Sequence, residues 1–315
     1  MPAVYASAPG KIILFGEHAV VYGRPAIAVP VTQVKAKAAV QADVRAAPGT
    51  VRIHAAEIGL DTHLEDLSAK NPLAAAIHLV LQALKVSRLP ACTIRIHSTI
   101  PVASGLGSGA AVSVALLRAV SGFLGRPLPD DRVCALAFEI EKIHHGTPSG
   151  IDNTVITYAQ PVYFVKDEPI QILRVARPFT IVIGDTGVSS PTSVSVGDVR
   201  KAWQAKREHY ESLFDSAAGI ADAARVSIET GMPENLGMLM NANHGILKRM
   251  GVSSPELDRL VQAAQAAGAW GAKLSGGGRG GNMIALVDSK QAGRVAAALE
   301  SAGAVRTIIT EVAAS

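Results

Sequence analysis

An α+β fold in two parts is predicted by three observations on this 315-residue chain. Segments of period-2 apolar alternation are interleaved with segments whose apolar residues recur at i, i+3, i+4 and i+7, so strands and helices are thoroughly mixed. A hydrophobic share of 49% against 18% charged residues excludes a disordered chain and supplies apolar side chains for two cores. A Pro-containing stretch, Glu168 to Pro178, then interrupts the pattern, and the expected domains are residues 1–175 and 176–315.

Residues 11–15 and 26–31 are short apolar runs on either side of the loop GEHAVVYGRP, and 34–44 alternates weakly; these read as strands of an N-terminal sheet. Val51 to His54 reads as another. Leu73, Ile77, Val80, Leu81 and Leu84 share one face of a helix over 73–85. Thr93 to His97 alternates as a strand, and Val112, Ala115, Leu116 and Ala119 mark the helix that follows it. Residues 130–145 form a further helix, with Asp130 or Asp131 as N-cap and Val133, Leu136, Ala137 and Ile140 as the buried stripe. Beyond the boundary come a strand at 179–183, a long amphipathic region at 198–250 and a helix at 255–267. A glycine loop at 276–281, a strand at 283–287, a helix at 289–302 and a strand at 305–312 complete a layered α+β arrangement.

Several function classes are disfavoured. The net charge of +4 comes from scattered Lys and Arg residues with no basic run, which suits an anionic small substrate and not a nucleic acid. Cys92 and Cys134 stand alone, without the spacing of a disulfide framework or zinc site, and are expected to be buried reduced thiols. No apolar run approaches the roughly 18 residues of a membrane span, and no secretory leader is recognisable. The expectation is a cytoplasmic protein with no membrane partner.

Four polar clusters carry the chemistry. The segment PVASGLGSGAA, 101–111, lies between a strand and a helix, and its glycines at 105, 107 and 109 allow positive φ and close approach to a ligand. At a helix N-terminus, free N–H groups and the helix dipole favour an anion such as a nucleotide phosphate. A glycine-rich packing turn fits the same residues, and the loop has neither P-loop nor GxGxxG spacing. Within it Ser108 is either a helix N-cap or a hydroxyl ligand to phosphate or metal, and the two roles are compatible. Lys11 opens an otherwise apolar run, which fits a solvated strand-edge residue as well as a functional one; Glu17 and His18 in the next turn read as surface residues on their own. In EIEKIHHGTPSGIDN, 139–153, Glu141 lies near a helix end, and glycines and a proline present Asp152 on a turn. Asp152 there is an Asx-turn residue or a base for a hydroxyl proton, and a carboxylate beside a helix end can ligate Mg²⁺. In KLSGGGRGGN, 273–282, five glycines in six positions point to close approach of backbone to a ligand. Two glycine loops with a lysine, a glutamate and an aspartate meet the needs of phosphoryl transfer.

APGKIILFGEH at 8–18, PVASGLGSGAA at 101–111 and KLSGGGRGGN at 273–282 resemble, in that order, the motifs of the GHMP kinase superfamily. Within it, GEHAVVYG at 16–23, HGTPSGIDN at 145–153, and Asn241 and His244 in MNANHGILKRMGVS are similar to the mevalonate kinase branch. The resemblance implies an N-terminal domain of the ribosomal protein S5 domain 2 type and a C-terminal ferredoxin-like domain. It implies ATP and Mg²⁺ as cofactors, mevalonate as the small-molecule substrate, phosphorylated on its 5-hydroxyl, and a homodimer.

Carried over by residue, the resemblance makes Asp152 the group that takes or orients the acceptor proton and Lys11 its electrostatic partner. Glu141, eleven residues before Asp152, and Ser108 would surround Mg²⁺. Glu17, His18 and Thr192 would face the mevalonate end. Pro101, Ser104, Gly105, Leu106, Gly107, Ser108, Gly109 and Ala110, with Gly276, Gly277 and Gly278, would bind ATP. Two departures stand out. Ser108 is followed by Gly109 where the family commonly has a second serine, and Arg279 and Asn282 stand where many relatives have glycine and cysteine. Arg279 either approaches a phosphate or points to solvent, and solvent is the expectation. The alternatives are another GHMP kinase, acting on phosphomevalonate, a sugar or a different hydroxyl of mevalonate, and a non-catalytic metabolite-binding relative.

Overall fold

The computed structural model describes residues 3–101, 104–145 and 148–314. Val102, Ala103, Gly146 and Thr147, which belong to two of the motifs, lie outside the described residues. In chain order the first half runs β1 (Val4–Phe15), β2 (Ala26–Ala42), β3 (Val51–Ala55), β4 (Leu60–His63), α1 (Pro72–Leu84), β5 (Cys92–Ser98), α2 (Ser108–Phe123), α3 (Asp130–His145), α4 (Ile151–Tyr158), β6 (Val162–Phe164) and β7 (Gln171–Ile172). The second half runs β8 (Phe179–Asp185), α5 (Thr192–Ala205), α6 (Arg207–Glu229), α7 (Asn235–Arg249), α8 (Pro255–Ala266), β9 (Gly271–Ser275), β10 (Asn282–Val287), α9 (Ala292–Ser301) and β11 (Arg306–Val312).

Two compact units interleave along the sequence. The first comprises Met1–Gly10, Val34–Pro101 and Gly107–Ala159; the second comprises Lys11–Gln33, Val102–Leu106 and Gln160–Ser315.

In the first unit β3 runs parallel to β5, with Val51 opposite Cys92, while β4 and the later half of β2 add antiparallel neighbours. Alternation puts Val51, Ile53, Ile94 and Ile96 inside and leaves Arg52 and Arg95 outside, as a half-buried sheet requires. α1 starts where Asn71 accepts a hydrogen bond from the Leu73 N–H and Pro72 fills the first helical position. α2 buries Val114, Leu116, Leu117 and Val120 on several faces, which marks it as the central helix of this unit and fixes its N-terminus. Both cysteines are buried free thiols, and burial pushes Cys92 up to about 11.

The second unit is built on a four-stranded antiparallel sheet in the order β11, β8, β10, β9. Two β-α-β runs and a β9–β10 hairpin in that order give the ferredoxin-like arrangement. Its core joins Val182, Phe214, Leu247, Leu257, Leu274 and Leu299 from the sheet and its helices. α8 is capped by the Ser254 side chain, which accepts from the Leu257 N–H.

Several expectations are corrected. The first strand begins at Val4, because Val4 to Ser7 already alternates, so Lys11 lies inside a strand and not at its start. Residues 26–42 are one 17-residue strand. The 198–250 region divides into α5, α6 and α7 and begins earlier, at Thr192. Asp130 and Asp131 sit in the first turn of α3, where their charges favour the helix dipole, and not before it. The strands β4, β6, β7 and β9 have only 4, 3, 2 and 5 residues, too few for periodicity to reveal them.

Candidate functional site

The first glycine loop is anchored by buried Ser104, Leu106 and Ala110, between which Gly105 and Gly109 are exposed; Pro101 before it is half-buried. Gly105 and Gly107 take φ of 79° and 76°, a region that an L side chain enters at a cost of about 1–2 kcal/mol. Gly109 does not share that conformation. It lies in α2 and faces Glu141, whose Oε1 would stand 3.7 Å from a Cβ there, an ordinary contact distance. Gly107, and not Ser108, is the N-cap of α2, and no side chain caps the helix. The N–H groups of its first turn therefore precede the helical ladder without a side-chain acceptor.

Glu141 is 5% exposed on α3, an unusual depth for a carboxylate. Asp152 sits in the first turn of α4 after Gly150, whose φ of 95° makes the break, so the turn expected around Asp152 is a helix start. Its neighbour Asn153 is pinned to α3 through the Cys134 carbonyl at 3.2 Å, and Thr154 closes onto the Gly150 carbonyl at 2.7 Å. α4 is thereby fixed on α3 with Asp152 partly exposed. Ser108, Gly109, Ala110, Glu141 and Asp152 all belong to the first unit.

Lys11, Glu17, His18 and Thr192 belong to the second unit, and burial contradicts the surface readings of its N-terminal segment. Lys11, Glu17 and His18 are 4%, 1% and 5% exposed. The Glu17 carboxylate receives Lys273 Nζ on one oxygen and Asn243 Nδ2 on the other, at 3.1 Å, and Lys273 also donates to the Leu274 carbonyl at 2.7 Å. Burial pulls the Lys273 ammonium below the usual lysine range against the attraction of Glu17. His18 has φ 61°, and its Nε2 donates to the Gly277 carbonyl at 3.1 Å, which leaves Nδ1 without a proton. Burial lowers this imidazole to about 4, so it is neutral near neutral pH.

The second glycine loop is held largely by protein. The Arg279 N–H donates to the Val252 carbonyl at 2.8 Å and the Gly281 N–H to the Val188 carbonyl at 2.9 Å, while the Gly281 carbonyl accepts from Thr186. A Cβ on Gly278 would lie 1.9 Å from the Val252 oxygen, and one on Gly280 2.5 Å from the Val188 oxygen. Gly277 packs on Thr192 and Ser195 at the start of α5. Gly276 alone of these faces open space, with φ 83°. The expected solvent orientation of Arg279 is corrected: its guanidinium pairs with Asp198 on α5, at a half-exposed site.

Asn241 accepts from the Ala272 N–H at 3.0 Å, and His244 accepts from the Leu274 N–H at 3.4 Å while its Nε2 reaches Asp258 at 3.2 Å. α7 thus holds β9, which leads into the glycine loop.

The GHMP kinases N terminal domain family matches residues 71–160, and the GHMP kinases C terminal family matches residues 224–305. The mevalonate kinase of Thermococcus sibiricus is 38% identical over 325 aligned residues, covering 98% of this chain and 96% of its own length. The chain belongs to the GHMP kinase family. Among solved structures, this GHMP kinase is similar to L. major mevalonate kinase in complex with R-mevalonate, at 31% identity and a TM-score of 0.83, over 99% of this chain and 96% of that one. It is also similar to the Methanococcus jannaschii mevalonate kinase, at 26% identity and a TM-score of 0.82, over 98% of each chain. The two-domain fold that the motifs implied is the fold of this kinase.

Sequence reasoning missed two members of this kinase's buried network, Lys273 and Asn243. Lys273 had a usable signal: a lone lysine between Ala272 and Leu274 is the same anomaly that drew attention to Lys11. Asn243 had none of its own, since its partner Glu17 lies 226 residues away.

Proposed function

We propose that this kinase is an ATP- and Mg²⁺-dependent mevalonate kinase that transfers the γ-phosphoryl group of ATP to the 5-hydroxyl of (R)-mevalonate. The observation that carries this reading is the 38% identity to a mevalonate kinase over 98% of the chain. The side-chain inventory agrees with it, since Lys11, Glu141, Asp152 and both glycine loops are all present.

On this reading the uncapped N-terminus of α2 and the N–H groups of the loop at 104–110 receive the ATP phosphates. Asp152, partly exposed on a helix fixed to its neighbour, takes or orients the acceptor hydroxyl proton, and Lys11 steadies the resulting negative charge. Glu17 acts from behind the acceptor end, because both of its oxygens are engaged by Lys273 and Asn243; His18 and Thr192 line that end. Gly276, which faces open space, is the part of the second glycine loop with room for a nucleotide, and Gly277 and Gly278 shape the loop behind it. Residues 1–175 form the ATP-binding portion and residues 176–315 the C-terminal portion.

The donor set fits a hard divalent cation: the buried Glu141 carboxylate faces Gly109, which is next in sequence to Ser108 and its hydroxyl. Glu141 and Ser108 would hold Mg²⁺ there. When bound, the ion neutralises phosphate charge. Among the described residues no helix is long and apolar enough to cross a membrane. A cytoplasmic homodimer is part of the same reading, and sedimentation at working concentration tests the assembly.

A coupled ADP-release assay over a panel of alcohols, including phosphomevalonate and a hexose, is expected to give turnover on mevalonate. Silence on mevalonate with turnover on another acceptor overturns the substrate. Asp152→Asn is expected to lower kcat by about 10²- to 10⁴-fold with ATP binding retained, and a near-normal kcat would remove Asp152 from its role.

A further inference from the structure

We propose that Asn282 is a positioning residue for the nucleotide-phosphate loop, acting through the peptide plane that precedes Gly105. The proposal rests on the reading of residues 104–110 as the phosphate cradle.

Asn282 is the first residue of β10 and is 2% exposed, with its backbone opposite Asp185 on one side and Ser275 on the other. Burial at this central-strand position leaves the side chain little freedom. Its amide nitrogen donates to the Ser104 carbonyl, 178 residues earlier in the chain. Only the NH₂ end of an amide can face a carbonyl oxygen, so the orientation of the group follows from its partner. Its Oδ1 is buried with no hydrogen-bond partner among the described residues, and donation to Ser104 is the polar work this side chain does. Neighbouring glycines lie within van der Waals reach of the contact: a Cβ on Gly105 would stand 3.9 Å from Asn282 Nδ2, and one on Gly281 3.7 Å from the Ser104 oxygen.

The other end of the segment is gripped in the same way, by the Lys11 N–H donating to the Leu106 carbonyl at 3.0 Å. In a trans peptide the carbonyl and the following N–H point in opposite directions. Holding the Ser104 carbonyl toward Asn282 therefore turns the Gly105 N–H away from Asn282. Holding the Leu106 carbonyl toward β1 turns the Gly107 N–H away from β1. Gly105 and Gly107, at φ 79° and 76°, are the positions where glycine would otherwise let these planes rotate. Asn282 and the backbone of Lys11 remove that freedom before an anion arrives, which lowers the ordering cost of binding.

The test is steady-state kinetics of Asn282→Leu and Asn282→Asp with ATP and mevalonate varied separately, and thermal melting as a check of folding. Leu keeps the approximate shape without the donor; Asp replaces the donor by an acceptor facing a carbonyl. The KM for ATP is expected to rise about 3- to 10-fold in Asn282→Leu, the span of one neutral hydrogen bond, and further in Asn282→Asp. The KM for mevalonate is expected to stay within about 2-fold, a split that general loosening of the fold would not produce. If one variant fails to fold, the other carries the comparison. A KM for ATP within about 2-fold of the parent in a folded variant, while Gly107→Ala raises it, overturns the role of Asn282. If Gly107→Ala also leaves it unchanged, the cradle reading itself fails.

Discussion

The two glycine loops look alike in sequence and differ in what their glycines are for. In the loop at 104–110 the exposed Gly105 has positive φ and clear space beyond it, where a methyl group would come no nearer than 3.9 Å to Asn282. In the loop at 276–281 Gly278 and Gly280 have positive φ as well, and a methyl group would fall 1.9 and 2.5 Å from the carbonyl oxygens of Val252 and Val188. The first loop leaves the backbone at Gly105 exposed, which on the proposed function is room for a ligand, while most of the second uses glycine to let backbone meet backbone. A run of glycines is thus evidence of close approach, and only the surroundings say whether a ligand or the protein approaches.

This comparison can be broken at several points. The largest effect is expected from Lys273→Met, which leaves the Glu17 carboxylate buried without its cation and should cost about 3–5 kcal/mol in chemical denaturation. The double variant Lys273→Met, Glu17→Gln should recover most of that loss; equal losses in the single and double variants would mean that the pair does not act as a unit. Gly278→Ala should follow, at about 2–5 kcal/mol from crowding and a left-handed alanine together, and a stability close to the parent would show that the second loop is not packed as described.

His18 has a folded pKa of about 4 against 6.5 for a free imidazole, so below pH 6.5 the unfolded chain binds a proton that the folded chain refuses. Stability should fall as pH drops from 6.5 through 4, by up to on the order of 3 kcal/mol from this group. Denaturation of His18→Gln over that window should be shallower by about one proton, and an unchanged slope would place the titration elsewhere. The smallest effect is expected from Arg279→Ala, whose half-exposed pair with Asp198 should be worth less than about 1 kcal/mol.

Much of the fold was legible because its longer elements are strongly periodic: Leu73 to Leu84, Phe179 to Ile183 and Leu257 to Ala264 each bury a run or face of apolar residues. Short strands such as β4 and β7 carry too few residues for a period to appear. At the candidate site the residue types were legible and their surroundings were not. Glu17 and His18 read as surface residues because their partners, Lys273 and Gly277, lie 256 and 259 residues away. Arg279 was read as solvent-facing for the same reason, since nothing nearby in sequence announces Asp198. Gly109 read as a third flexible glycine of the loop, whereas it lies inside α2 and faces the Glu141 carboxylate on another helix.

The central claim is that the loop at 104–110, unlike the loop at 276–281, exists to hold the phosphates of ATP, and Gly105→Ala tests it most directly. Calorimetric titration with a nonhydrolysable ATP analogue should show affinity lowered about tenfold or more, while the melting temperature drops by only about 2–8 °C, the cost of one left-handed alanine. An unchanged affinity together with that same drop in melting temperature would make the loop a packing turn and contradict the account.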